Sequence, residues 1–224
     1  AQEEAGDELD EGADELLAHD EGGEHDDDEE EHDAPAGSDA YVAELRKDDA
    51  YAIWTLGEED DKQEEIHDVV VPPNGDHAKD INLMVEGADR DEAIEFGADS
   101  ITKDTTDRAM RFDKGYLMEP EGESQFPQLN GAFSVEMWIH PQLDRPRMGL
   151  FDRFDWATKD VKERDGIVIS LVNNAVHFEM FNGRASVLPV VVKSRPLTAG
   201  VIYHVVCTFD KTEMRIYLNG KVGN

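Results

Sequence analysis

The sequence predicts an all-β protein, with an antiparallel sandwich or barrel as its main part. Apolar residues after Tyr51 recur with a period of two, which is typical of strands. Asn173-Asn174, Asn182-Gly183 and Asn219-Gly220 separate the apolar runs, and such pairs favour the tight turns between antiparallel neighbours. Helical spacing is limited to a short stretch, 39–47.

The clearest predicted strand covers 133–139, where apolar and other side chains alternate between two faces. A strand within 201–210 is expected to be central in its sheet because it is apolar on nearly both faces. The segment 213–219 alternates again. The remaining predicted strands lie within 51–57, 81–87, 93–97, 108–113, 116–120, 149–154, 166–172, 175–181 and 186–192.

The formal charge of −32 excludes nucleic-acid binding by phosphate neutralisation, because the field has the wrong sign. It also argues against docking on anionic membranes. No apolar run approaches the roughly 20 residues of a spanning helix, so we expect no membrane insertion. Cys207 is the single cysteine, so an internal disulfide is excluded, and its apolar neighbours predict a buried, unreactive thiol.

The charge is concentrated at the start of the chain. Residues 1–40 hold 19 of the 53 acidic side chains and none of the 21 Lys and Arg residues. Such a segment buries too little apolar surface to offset the entropy of ordering it. We therefore predict a disordered acidic leader over 1–39 and one folded domain over 40–224.

Five segments, taken in order, carry a family resemblance. AYAIWTLGE (50–58) resembles an opening strand, RAMRFDKGYLMEP (108–120) a hairpin and FSVEMWIHP (133–141) a strand of laminin-G-like modules. GIVISLVNNAVHFEMFNG (166–183) and YHVVCTFDKTEMRIYLNGK (203–221) resemble two later hairpins of the same modules. The chain from 48 to 224 is therefore similar to the laminin-G-like branch of the concanavalin A-like superfamily, although Lys114 stands where glycine is commoner.

This resemblance implies a jelly roll, in which two antiparallel sheets pack face to face, commonly with a calcium ion near one rim. It also implies a non-catalytic module that binds a glycan or an extracellular protein within a larger secreted or surface protein. We therefore expect an extracellular, cell-surface or periplasmic location.

Family members usually continue with further strands after the Asn-Gly turn, whereas this sequence stops at Asn224. The resemblance thus predicts a sandwich without its last strands, and two explanations stay open. The chain is a fragment, or a neighbouring copy completes the open sheet edge by strand addition. The second explanation gives an alternative function, a structural subunit that assembles with itself.

A glycoside hydrolase is a further alternative. Hydrolases on this fold place two carboxylates on one strand, and these act as a pair. Glu136 is the only acid in 133–139. We therefore expect a protein that is not an enzyme.

Four residues are candidates for ligand binding: Trp156, Phe154, Trp138 and Glu136. Trp156 and Phe154 lie in or beside a polar stretch, where an exposed ring suits recognition. The alternative is that these rings form a hydrophobic plug under the loop. Trp138 and Glu136 share the polar side of their strand. This arrangement predicts either a surface on which a sugar ring stacks, or a packed Trp beside a Glu that pairs with an Arg of a neighbouring strand. His204 and His177 are interpreted as ordinary, satisfied strand histidines.

Calcium would need oxygen ligands that converge from several loops. Acidic residues at predicted strand ends and loops are the candidates, namely Asp113, Asp152, Asp155 and Asp165. The resemblance points to Asp113 first. The alternative is that these residues are solvated turn formers.

Overall fold

A computed structural model gives the fold. It describes residues 39–48, 50–59, 62, 64–67, 69, 83–86, 93–99, 107–119, 131–154, 165–182 and 189–223, all within one compact unit, Ala34–Asn224. The predicted acidic leader lies outside the described residues, except for Asp39, which begins a helix.

Helix α1 spans Asp39–Lys47, as predicted. Its buried Val42 clusters with Ile53, while Leu45 and Val69 pack at the margin of the same cluster. No described helix has the length and apolar character needed to cross a membrane.

The described strands, in chain order, are β1 (Glu65–Ile66), β2 (Leu83–Glu86), β3 (Ile94–Asp99), β4 (Arg108–Phe112), β5 (Tyr116–Met118), β6 (Phe133–Ile139), β7 (Arg147–Phe154), β8 (Asp165–Val172), β9 (Ala175–Asn182), β10 (Val190–Pro196), β11 (Tyr203–Phe209), β12 (Met214–Leu218) and β13 (Lys221–Val222).

Two four-stranded antiparallel sheets form the main body, in the orders β10-β9-β8-β7 and β13-β12-β11-β6. Their inner faces share one apolar core, so the predicted sandwich is confirmed. Strand β11 lies between β12 and β6, which confirms its predicted central place. The fully buried core side chains of the two sheets include Ile169 and Phe178 on one side and Val205, Cys207 and Ile216 on the other.

Strands β1 to β5 form two smaller sheets, in the orders β1-β2-β5 and β3-β4. These sheets have a hydrophobic cluster of their own, centred on Ile66, Val85 and Ile94. The prediction of one sandwich over 40–224 did not anticipate this second cluster.

The predicted hairpin over 108–120 is wrong, because β4 pairs with β3 whereas β5 pairs with β2. The chain leaves one small sheet for the other at Gly115, where a β-carbon would lie 2.3 Å from Ile94 Cγ1. The carbonyl of Ala93 accepts the backbone N–H groups of 113–115, which fixes this crossing.

The predicted opening strand within 50–58 is also wrong. Leu56 has a φ of 55°, which interrupts an extended backbone. The segment instead makes separate backbone bonds, from Val69 N to Ile53 O and from Gly97 N to Glu58 O, each 2.9 Å long.

Two of the three predicted turns agree with the structure, and the third, at Asn182-Gly183, runs into residues outside the described part of the chain. Asn173 and Asn174 both have positive φ and join β8 to β9, as a two-residue hairpin turn requires. Asn219 and Gly220 do the same between β12 and β13.

Candidate ligand-binding face

The register of β6 against β11 determines which side chains share the outer face of their sheet. Trp138 lies opposite His204, and Glu136 lies opposite Val206. The alternate residues of β6 point inward and pack on the core. Glu136 and Trp138 therefore lie together on the outer face, as the alternation of the sequence predicts.

Trp138 and His204 form a flat aromatic surface. Their ring centroids are 4.7 Å apart and the planes differ by 28°, so the rings stack. The indole is a large hydrophobic group, yet Trp138 is 45% exposed. A flat, exposed indole offers a ligand apolar contact without a change of the backbone.

Glu136 is the acceptor beside this stack. Its Oε1 lies 2.8 Å from His204 Nε2 and also accepts a hydrogen bond from the Tyr41 hydroxyl. A carboxylate only accepts, so the bond places a proton on Nε2 of His204. The partners of Glu136 are thus a His and a Tyr, and not the Arg that the packing interpretation supposes.

Tyr41 reaches this face from helix α1. Trp138 Nε1 donates to the Tyr41 hydroxyl over 3.2 Å, and the two rings meet edge to face with centroids 6.5 Å apart. Burial of the phenol and its bond to Glu136 raise the pKa of Tyr41 to about 12. The hydroxyl therefore stays protonated near neutral pH and donates to Glu136.

Sequence reasoning missed two members of this cluster. His204 was interpreted as a satisfied strand histidine, although the pairing of the two strands puts it opposite Trp138. Tyr41 lies on helix α1, and no sequence signal links it to Glu136 because 95 positions separate them.

An apolar strip continues from this cluster across the sheet. Val206 lies opposite both Glu136 and Tyr217, and Tyr217 lies opposite Val222. Val222 is 59% exposed. We define the outer face as Glu136, Trp138, His204, Val206, Tyr217 and Val222.

Phe154 lies on the other large sheet, apart from the outer face. It is buried, and its ring meets Phe181 with centroids 4.5 Å apart. This contact gives Phe154 a packing role, and its predicted role in binding stays a prediction. Trp156 lies outside the described residues.

The acidic candidates for calcium lie in separate local settings. Asp113 accepts hydrogen bonds from Arg145, and Asp165 Oδ1 accepts the backbone N–H of Gly166 over 2.9 Å. Asp152 is exposed within β7.

Among the described residues, no three or more His, Cys, Asp or Glu side chains are grouped so that they could hold a metal ion. Asp113 forms an ion pair with the guanidinium of Arg145. Asp155 lies outside the described residues, and the calcium site stays a prediction.

Comparison with known families agrees with this geometry. A family model described as the concanavalin A-like lectin/glucanases superfamily matches residues 113–223. Residues 113–223 belong to this superfamily. No curated protein and no solved structure matches the chain.

The concanavalin A-like region contains the whole outer face and both sheets of the sandwich. A domain of this kind indicates a carbohydrate- or protein-binding module. Tyr41 lies outside the matched concanavalin A-like region, so a segment beyond the matched region supplies the hydroxyl that bonds to Glu136.

Proposed function

We propose that the sandwich is a non-catalytic glycan-binding module and that its binding surface is the outer face. The observation that carries the proposal is the exposed Trp138 ring, stacked on His204 beside the carboxylate of Glu136. Sugars present both C–H surfaces and hydroxyl groups, so their recognition needs apolar contact and fixed polar partners at one place. The indole supplies the first, and Glu136 supplies an acceptor.

The absence of catalysis is part of the proposal. Glycoside hydrolases use two carboxyl groups, about 5–5.5 Å apart when the configuration is retained and about 6.5–9.5 Å apart when it is inverted. Glu136 is the only acid of β6, and its cross-strand neighbour is Val206. Its Oε1 is also engaged by His204 and Tyr41, which suits a fixed acceptor better than a nucleophile.

We further propose that this module works at an extracellular, cell-surface or periplasmic location, within a larger secreted or surface protein. Domains of the laminin-G and concanavalin A-like kind are often extracellular, which supports this placement. The excess of acidic side chains keeps such a module soluble and limits contact with nucleic acid and anionic membranes.

The test is a binding titration with the Trp138→Ala variant. A panel of polysaccharides is first screened by affinity electrophoresis, and the best ligand is titrated by calorimetry with calcium and with a chelator. We expect the Kd to rise at least about tenfold, since loss of a stacked aromatic contact of about 1.4 kcal/mol has that effect.

Tyr116→Ala is the matched control, because Tyr116 is 54% exposed but lies on a small sheet. Its Kd should stay at the wild-type value. Unchanged affinity of Trp138→Ala, or no binding to any member of the panel, would overturn the proposed function. A chelator effect would support the predicted calcium site.

Self-assembly is the second candidate function. Strand β10 is the outermost described strand of its sheet, and its Val190 and Val191 are 56% and 37% exposed. An edge strand with exposed apolar side chains favours pairing with another chain. The occupant we propose is β10 of a second copy, in antiparallel orientation.

A further inference from the structure

The Tyr41 hydroxyl makes the bonds that a sugar hydroxyl would make on the outer face. It donates to Glu136 Oε1 and accepts from Trp138 Nε1. Its ring adds an edge-to-face contact with the indole. One small group thus uses both polar atoms that flank the aromatic stack.

The contact of Tyr41 with Glu136 and Trp138 is also of a kind that a ligand can replace. Tyr41 is 39% exposed, and the contact belongs to a helix of nine residues, a length that is marginal in isolation. The helix keeps other attachments, since Val42 is buried and Arg46 donates to the carbonyl of Val69. Tyr41 can therefore leave the outer face by side-chain rotation while α1 stays in place.

The charge around the face limits the class of ligand. Glu136 is an anionic acceptor, and the formal charge of the chain is −32. Arg215, the cation of β12 nearest this face by register, pairs with Glu213 and Asp210. An anionic glycan would meet repulsion from Glu136, whereas a neutral hydroxyl donates directly to the carboxylate.

Building on the proposed function, we propose that Tyr41 is an intramolecular competitor for the site of a neutral glycan. A glycan hydroxyl takes the position of the Tyr41 hydroxyl between Glu136 and Trp138, and binding of the sugar and docking of Tyr41 exclude each other. The apparent affinity is then reduced by the fraction of molecules in which Tyr41 is docked.

The experiment compares wild-type protein with Tyr41→Phe and Tyr41→Ala in titrations with a neutral glucan or galactan. Each variant loses the hydroxyl that competes, so the Kd should fall about three- to tenfold, in line with the net contribution of one typical hydrogen bond. Tyr116→Phe is the control for loss of an exposed tyrosine hydroxyl and should bind like the wild type.

A second measurement needs no ligand. Acrylamide quenching of Trp138 fluorescence, obtained as the difference from a Trp138→Phe background, should increase in Tyr41→Ala. Circular dichroism of both Tyr41 variants checks that the fold is kept.

The outcomes separate this inference from the proposed function. If the wild type binds glycan and the Tyr41 variants have the same Kd and the same quenching, Tyr41 is no competitor and only this inference fails. If no protein in the series binds any glycan, both fail. Tighter binding of heparin or polygalacturonate than of neutral glycans would overturn the ligand class.

Discussion

At the scale of single residues, Cys207 shows how burial controls chemistry. Its side chain is fully buried in the core shared by the two sheets. Desolvation by burial raises the pKa of the thiol to about 12, because the thiolate is poorly solvated there. The reactive form is the thiolate, so the folded protein should protect this residue from alkylation.

We predict that iodoacetamide labels Cys207 slowly at pH 8 in the folded protein and rapidly in guanidinium chloride, with mass spectrometry as the readout. Because burial raises the pKa of the thiol above its ordinary value of 9.0 in the folded state, the stability that comes from keeping the thiol neutral is fully present below pH 9. It is lost as the pH rises from 9 towards 12. Cys207→Ala should lack this alkaline loss, and fast labelling of the native protein would contradict the prediction.

The alternation of side chains in β6 was enough to place Glu136 and Trp138 on one face. Their actual partners were not predictable in the same way. The hydroxyl of Tyr41 arrives from a helix 95 positions earlier, and only the packing of that helix decides where it points. Local periodicity thus predicted the location of the candidate site, whereas tertiary packing set its hydrogen bonds.

At the scale of elements, the packing of β8 between β7 and β9 depends on Gly166. This residue lies opposite both Phe154 and Phe181, whose rings meet at 4.5 Å. Strands two places apart in a sheet are separated by about 10 Å, so the two rings lean towards each other over the glycine. Gly166 also has a φ of 127°, which L side chains rarely adopt.

We predict that Gly166→Ala lowers the free energy of unfolding by at least about 1–3 kcal/mol, the cost of that backbone region alone. The new β-carbon would also lie 2.0 Å from the carbonyl oxygen of Arg153. Gly149→Ala is the matched control, because its β-carbon would meet nothing within 4 Å. Guanidinium titrations that gave the two variants equal stability would contradict this account.

Elements with strong local signals were predicted with their correct type. Helix α1 has the predicted bounds, and the turn over Asn173 and Asn174 joins the predicted pair of strands. The hairpin over 108–120 was not predictable, since the pairing of β4 with β3 and of β5 with β2 depends on contacts distant in sequence. The glycine that permits the crossing, Gly115, resembles an ordinary turn residue when only the sequence is read.

At the scale of the whole molecule, two features compete over self-association. The exposed valines of β10 favour pairing between copies, whereas the formal charge of −32 favours separation. Salt screens the repulsion between copies and leaves backbone pairing in place. Association should therefore increase with ionic strength.

We predict a monomer–dimer equilibrium that moves towards the dimer as NaCl is raised from about 0.05 to about 1 M. Over roughly this range, salt screens most of the repulsion between the negative charges of two copies. Val190→Lys should weaken it about tenfold, because a charge on an edge strand opposes pairing. Val201→Lys, at an exposed valine outside the strands, is the control. Sedimentation velocity that shows only monomer at high concentration and high salt would count against the second candidate function.

The overall architecture was predictable because the core of the sandwich follows from period-two burial in consecutive hairpins. The second, smaller cluster around Ile66 and Ile94 was not anticipated. Its strands are short, as β1 shows with two residues, and their alternation is too brief to indicate which neighbours pair.

The irregular end of β10 has one more consequence. Its register against β9 shifts between Lys193 and Pro196, and proline has no N–H to donate. In the same half of the strand, Arg195 N donates to Gly223 O over 2.7 Å. The proposed pairing with a second copy would therefore use mainly residues 190–193. In the proposed antiparallel pair each copy covers the β10 edge of the other, so this contact by itself would join two copies and would not extend into a fibre.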